Sequence, residues 1–156
     1  LLSQGERPFV VCSALSGVSD HLEVMAEKAR ALAEATKAAI KASGKRVVLL
    51  ASNSLSHRHF TTESEVPEDM SREHIMHHGQ YLWDMRAIDL LRHGKTAQFI
   101  DEMPEFTSQA ISETDAGALS WMLYAMGLPS YDAELYGYGT VIRTGNAVMA
   151  WFPEAT

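Results

Sequence analysis

The sequence predicts an α/β fold that opens with a parallel strand pair, and three observations predict it. Two short apolar runs, residues 8–12 and 46–52, flank a segment whose apolar residues recur at helical spacing, the strand, helix, strand order of a parallel crossover. Apolar residues then recur at helical intervals through residues 71–126, and residues 134–152 return to β-branched and aromatic runs bent by glycines. The chain has 156 residues, 46% of them hydrophobic and 21% charged. That is enough to bury one core, so residues 1–156 are expected to form a single domain without disulfides or a structural metal.

Each element has its local reason. Pro8, Phe9, Val10, Val11 and Cys12 follow the turn-like Gln4-Gly5-Glu6-Arg7 and read as a buried strand. Asp20 and Glu23 make a capping-box pair, and Leu22, Met25, Ala29, Leu32, Ala35 and Ala39 continue a helix that Gly44 stops. Residues 46–52 have the composition of a strand covered on both faces. Residues 53–68 are polar and without period, a long loop leaving the carboxyl end of a strand, where open α/β sheets bind their ligands. Ser71 and Glu73 begin a helical region whose stripe is Leu82, Met85, Ile88 and Leu91, closed by Gly94. Two further helices are expected, over 96–103 and over 104–126, the second divisible in two. Residues 134–152 carry the remaining strands, with Gly137, Gly139 and Gly145 as bends.

Charge and composition remove several function classes. Thirteen basic against twenty acidic residues give a net charge of -7, and no basic run breaks that balance, so neither nucleic acid nor an anionic membrane is an expected partner. No apolar stretch approaches the roughly 20 residues that span a bilayer. A single cysteine excludes an internal disulfide framework and fits a reducing, cytoplasmic compartment. The chain begins at Leu1 with no signal-peptide series after it, which reads as a fragment or a processed chain.

Two histidine groups and one carboxylate are the chemical candidates. His57 and His59, in Ser56-His57-Arg58-His59, stand two apart on the long loop, where imidazoles serve as a general base, as metal ligands or as solvated loop residues. His74 and His78 have the i, i+4 spacing of zinc-binding helices, but the HExxH pattern is absent and a solvated helix face is the expected reading. Glu113 precedes Gly117 and an apolar helix, a first-turn position that suits a carboxylate on electrostatic grounds alone. Gly137-Tyr138-Gly139 and Arg143-Thr144-Gly145-Asn146 are neither a dinucleotide fingerprint nor a P-loop. Cys12 follows two valines and reads as an inert buried thiol.

Several of these segments resemble one family in the same order: residues 49–60 (Leu-Leu-Ala-Ser-Asn-Ser-Leu-Ser-His-Arg-His-Phe), residues 67–71, Trp83-Asp84-Met85-Arg86, and residues 136–147 (Tyr-Gly-Tyr-Gly-Thr-Val-Ile-Arg-Thr-Gly-Asn-Ala). Together they resemble the carboxyl-terminal half of class III extradiol ring-cleaving dioxygenases, most strongly over residues 45–151. The resemblance implies a three-layer α/β domain with a central, largely parallel or mixed sheet. It further implies an Fe(II)-dependent enzyme of aromatic catabolism that opens an aminophenol or catechol ring with O2, in a homo- or hetero-oligomer with a homologous subunit. By position, it implies His57 as the catalytic acid/base, Glu113 as a metal ligand, and Ser56 and His59 as substrate-binding residues. The family's two histidine ligands belong to an amino-terminal half, so the fragment alone is expected to be inactive. Arg143 stands where the resemblance leads one to expect glycine. A non-catalytic homologous partner subunit is the alternative reading. Residues 10–20 also resemble a short aspartokinase segment, without that family's entry motif, which ranks lower.

Overall fold

The computed structural model describes residues 9–13, 22–57, 78–141 and 144–153. The expected crossover opens the chain as β1 (Phe9–Ser13), α1 (Leu22–Ser43) and β2 (Val47–Ala51). The strands run parallel, with Phe9 opposite Val47 and Ser13 opposite Ala51. A parallel pair cannot close through a tight turn, and the helix supplies the return path. Asp20 of the proposed capping box and the side chain of Cys12 lie outside what is described.

The contact face of α1 differs from the expected stripe. Ala29 and Ala33 are fully buried, and Trp121 Nε1 donates to the Thr36 hydroxyl at 3.1 Å. Leu32, Ala35 and Ala39 are exposed instead. Alanines on the buried side allow close approach of the helix that carries Trp121, and the bulkier Leu32 is turned out.

The lead-in expected from Ser71 and Glu73 lies outside the described residues, as do His74 and His77. Helix α2, described over His78–Arg92, exposes His78 and buries Gln80, Asp84, Ala87, Ile88, Leu90 and Leu91. The stripe through Leu82 is thereby corrected, since Leu82 is 53% exposed. At 3.6 residues per turn the nine positions from Leu82 to Leu91 make about two and a half turns, which sets the two leucines on opposite faces. Gly94 (φ +63) then turns the chain where a Cβ would strike the Ser130 carbonyl.

The boundary expected at Pro104 is not there. One helix, α3 (Thr96–Ala110), runs through Pro104, which sits at its ninth position. The proline removes one backbone donor. Burial of Phe99, Met103, Phe106, Thr107 and Ala110 along one side offsets that loss, and the rings of Phe99 and Phe106 meet edge to face at 5.7 Å. The break falls instead at Ile111, which is left-handed (φ 53), and at a 3₁₀ turn (Glu113–Ala116) before α4 (Gly117–Ala125). Helix α4 is apolar on all sides and packs against both α1 and β2, so it is the most enclosed helix described.

Strands β3 (Glu134–Val141) and β4 (Thr144–Ala150) form an antiparallel pair with an irregularity between Leu135 and Gly137. Tyr136 is the residue skipped there, so the bulge lies beside Gly137, whereas Gly139 and Gly145 are paired within β3 and β4. Ile142 and Arg143 lie outside the described residues. The fold is α/β, and its described strands form one parallel and one antiparallel pair. Just past β2, Leu55 N–H donates to the Gly145 carbonyl at 2.8 Å and Gly145 N–H to the Ser56 carbonyl at 3.0 Å, which ties the two pairs together. Between β2, β4 and α4 lies an apolar cavity of about 660 Å³, with Leu49, Leu119, Met122 and Met149 among its walls. No helix among the described residues is long and apolar enough to cross a membrane.

Candidate active site

His57 stands six positions beyond the end of β2, half-buried, on a segment fixed from both sides. Its amide donates to the carbonyls of Ala110 and Ile111 at 3.3 and 3.0 Å, at the carboxyl end of α3. Ser56 beside it forms an isolated antiparallel bridge with Ser112. Ile111 adopts its left-handed turn where the carbonyls must meet the incoming loop, a strained position for a β-branched residue. The Ser54 hydroxyl lies 3.0 Å from His57 Nδ1 and so orients the ring.

The same bridge brings the backbone of Glu113 next to this loop, one residue past Ser112 and at the start of the 3₁₀ turn. The Glu113 side chain and all of His59 lie outside what is described. Ser56 is buried, and its hydroxyl donates to Asp84 Oδ2 at 2.7 Å while accepting from Gly145 N–H at 3.1 Å. Both of its hydrogen-bonding directions are therefore used within the protein. His57 does not line the large apolar cavity, which the neighbouring Asn53 and Leu55 do.

Behind the loop is a polar junction of Asp84, Tyr138 and Gly145, which lie in the segments that carry the resemblance but to which the sequence reading assigns no role in the site. Asp84 is fully buried on α2 and accepts from Ser56 Oγ and from Tyr138 OH, each at 2.7 Å and both at Oδ2. Its Oδ1 is buried without a hydrogen-bond partner. Burial raises the Asp84 pKa above the ordinary carboxylate value, and bonds from the hydroxyls of Ser56 and Tyr138 and the amide of Ser56 oppose that rise. A methyl group at Gly145 would collide with Asp84 Oδ2 and come within 2.6 Å of Ser56 Oγ, so only glycine fits. Tyr138 also packs on Tyr81, with ring centres 6.2 Å apart, and Tyr81 stacks on His78 at 6.1 Å. The available signal was a charge on the core side of a helix: Asp84 stands four before Ile88 and seven before Leu91.

Chemically, the segment offers an oriented imidazole, a nearby chain position for a carboxylate, and a rigid hydrogen-bonded backing. Among the described residues no group of three or more histidine, cysteine, aspartate or glutamate side chains could hold a metal ion. The described side chains therefore do not by themselves fit a complete iron site.

Comparison with known proteins identifies the setting of this loop. Residues 15–152 match the family model described as the catalytic LigB subunit of aromatic ring-opening dioxygenase. The chain is also 52% identical, over 120 residues, to the 2-aminophenol 1,6-dioxygenase beta subunit of Pseudomonas sp. That match covers 77% of this chain and 39% of the relative, so the chain spans about two-fifths of the relative's length. The chain belongs to the family of catalytic LigB subunits of aromatic ring-opening dioxygenases.

Proposed function

We propose that residues 1–156 are one domain, the carboxyl-terminal portion of a catalytic subunit that opens an aminophenol or catechol ring and adds both atoms of O2 to it. The observation that carries this reading is the placement of His57, its ring oriented by Ser54 and its amide tied to the carbonyls of Ala110 and Ile111, three and two residues before Glu113. The imidazole takes the proton that a ring hydroxyl or amino group gives up as electron density moves toward oxygen, and it returns a proton as the ring opens. Imidazole suits both steps because its unperturbed pKa lies near neutrality. The Ser54 hydroxyl both donates and accepts, so it holds Nδ1 in either protonation state.

Ser56 is assigned to the substrate pocket by position, its hydroxyl being committed to Asp84, and His59 is assigned as a second substrate-binding residue from the sequence motif alone. Glu113 is assigned as a carboxylate ligand of Fe(II), with two imidazoles from outside this chain completing the set. When bound, the iron supplies the electronic path between ring and O2. The two strand pairs are read as parts of one central mixed sheet in a three-layer fold. The beta-subunit name of the Pseudomonas relative motivates a homologous partner in a hetero-oligomer, and the composition motivates a cytoplasmic location.

The test is oxygen consumption by the complete subunit with 2-aminophenol and with catechol, measured beside loss of the aromatic ring. Equimolar consumption with one of them is expected. Intact rings and no uptake with either would end the reading.

A further inference from the structure

We propose that Asp84 is a positioning residue for His57, acting as a buried hydrogen-bond acceptor that locks the His57 loop onto α2 and the β3–β4 hairpin. The proposal rests on the reading of His57 as the acid/base residue, but its geometry stands apart from that reading. A single oxygen, Oδ2, receives hydroxyls from two distant parts of the chain, Ser56 from the loop and Tyr138 from β3. Ser56 in turn receives the amide of Gly145, so α2, the loop and both strands of the hairpin converge on one carboxylate. Ser56 is the immediate neighbour of His57 and forms the bridge to Ser112. A shift of the loop away from α2 breaks the bond to Asp84 and displaces the imidazole with it.

Stability alone does not account for a carboxylate here. A fully buried carboxylate carries a large desolvation cost, and a well-packed apolar side chain in its place is often neutral or better for stability. One of its oxygens is moreover left without a partner. What the carboxylate contributes is direction: two hydroxyls can converge on its oxygen only if loop and hairpin hold one relative placement. Glycine at 145 removes the side chain that would otherwise separate them.

Because the role is that of an acceptor, asparagine should serve. The side-chain oxygen of Asp84→Asn can still accept from Ser56 and Tyr138, while Asp84→Ala removes the oxygen on which the two hydroxyls converge. In the complete subunit, Asp84→Ala should lower kcat per folded protein at least tenfold, and Asp84→Asn should restore it to within about threefold with an unchanged pH profile. Tyr138→Phe and Ser56→Ala, each removing one donor, should give intermediate losses and carry the test if Asp84→Ala does not fold. A readout independent of activity is the 15N spectrum of the His57 ring in this chain, assigned with His57→Gln. Wild type and Asp84→Asn should share one set of ring shifts, and Asp84→Ala should move toward the averaged shifts of an exposed histidine. Wild-type ring shifts and kcat in Asp84→Ala would overturn the proposal. So would a loss in Asp84→Asn equal to that in Asp84→Ala, which would assign the effect to charge. Full activity in His57→Ala would instead overturn the acid/base reading, and the ring shifts would still decide the role of Asp84.

Discussion

Asp84 and Gly145 form one packing unit, and each carries its own stability consequence. The carboxyl group of Asp84 has a raised pKa in the folded protein, relative to an ordinary value of 3.8, because burial disfavours its charge. Between those two values the folded state holds more protons than the unfolded state, so this residue's contribution to stability is greatest below about pH 3.8 and is lost as pH rises through the folded value. Urea titrations of wild type and Asp84→Asn across acid to neutral pH should show that fall in the wild type and its absence in the variant. Parallel curves would mean that the carboxyl group does not titrate differently on folding. At Gly145 the added methyl group of Gly145→Ala meets the side chains of Asp84 and Ser56, both of them buried. A loss of about 2–3 kcal/mol is expected from such overpacking, read as a lower urea midpoint with unchanged slope.

At the scale of elements, the turn between α3 and α4 holds stored strain beside the candidate site. Ile111 is β-branched, about half exposed and left-handed. Replacing it by glycine removes the steric cost of that conformation, loses little burial and keeps the carbonyl that receives His57 N–H. Ile111→Gly should therefore stabilise the chain by about 0.5–1 kcal/mol, and a thermal midpoint below the wild type would show that the isoleucine packing matters more than its backbone strain. Phe106→Ala, in the edge-to-face pair with Phe99, should cost about 3–5 kcal/mol in the same assay.

Elements also show what could be read in advance. The parallel crossover was legible because β1 and β2 are uninterrupted apolar runs separated by a helix-length segment that ends in glycine. The α3 boundary was not, because proline signals a break locally while the burial of Phe99, Met103 and Phe106 acts across the tertiary fold. The face of α2 was misread because Leu82 invites a strict three-residue stripe, whereas the buried set follows the 3.6-residue period. The segment containing Ser56 and His57 stood out by its residue types. Its support did not, because Asp84 and Tyr138 reach Ser56 from 28 positions away and through a shared oxygen 54 positions apart.

For the molecule as a whole, the chain matches 39% of its Pseudomonas relative and exposes apolar side chains along its strands. Val48, Leu50 and Val148 are each about half exposed or more, and Phe152 is 63% exposed just past β4. Exposed apolar strands promote association between copies. The isolated chain should therefore sediment as concentration-dependent oligomers, and Val148→Lys should shift it toward monomer.

The proposed catalysis makes its sharpest demand on the complete subunit. If His57 moves protons and Glu113 holds iron, their removal has different consequences. His57→Ala should retain bound iron yet slow ring opening by about 10²- to 10⁴-fold. Glu113→Ala should lose the iron and with it the activity. The most direct measurement is therefore iron content determined beside oxygen uptake for these two variants of the complete subunit. Retained iron with slow turnover in His57→Ala, and lost iron in Glu113→Ala, is the predicted result. Iron loss in His57→Ala with retention in Glu113→Ala would reverse the two assignments, and full activity in both would contradict the account.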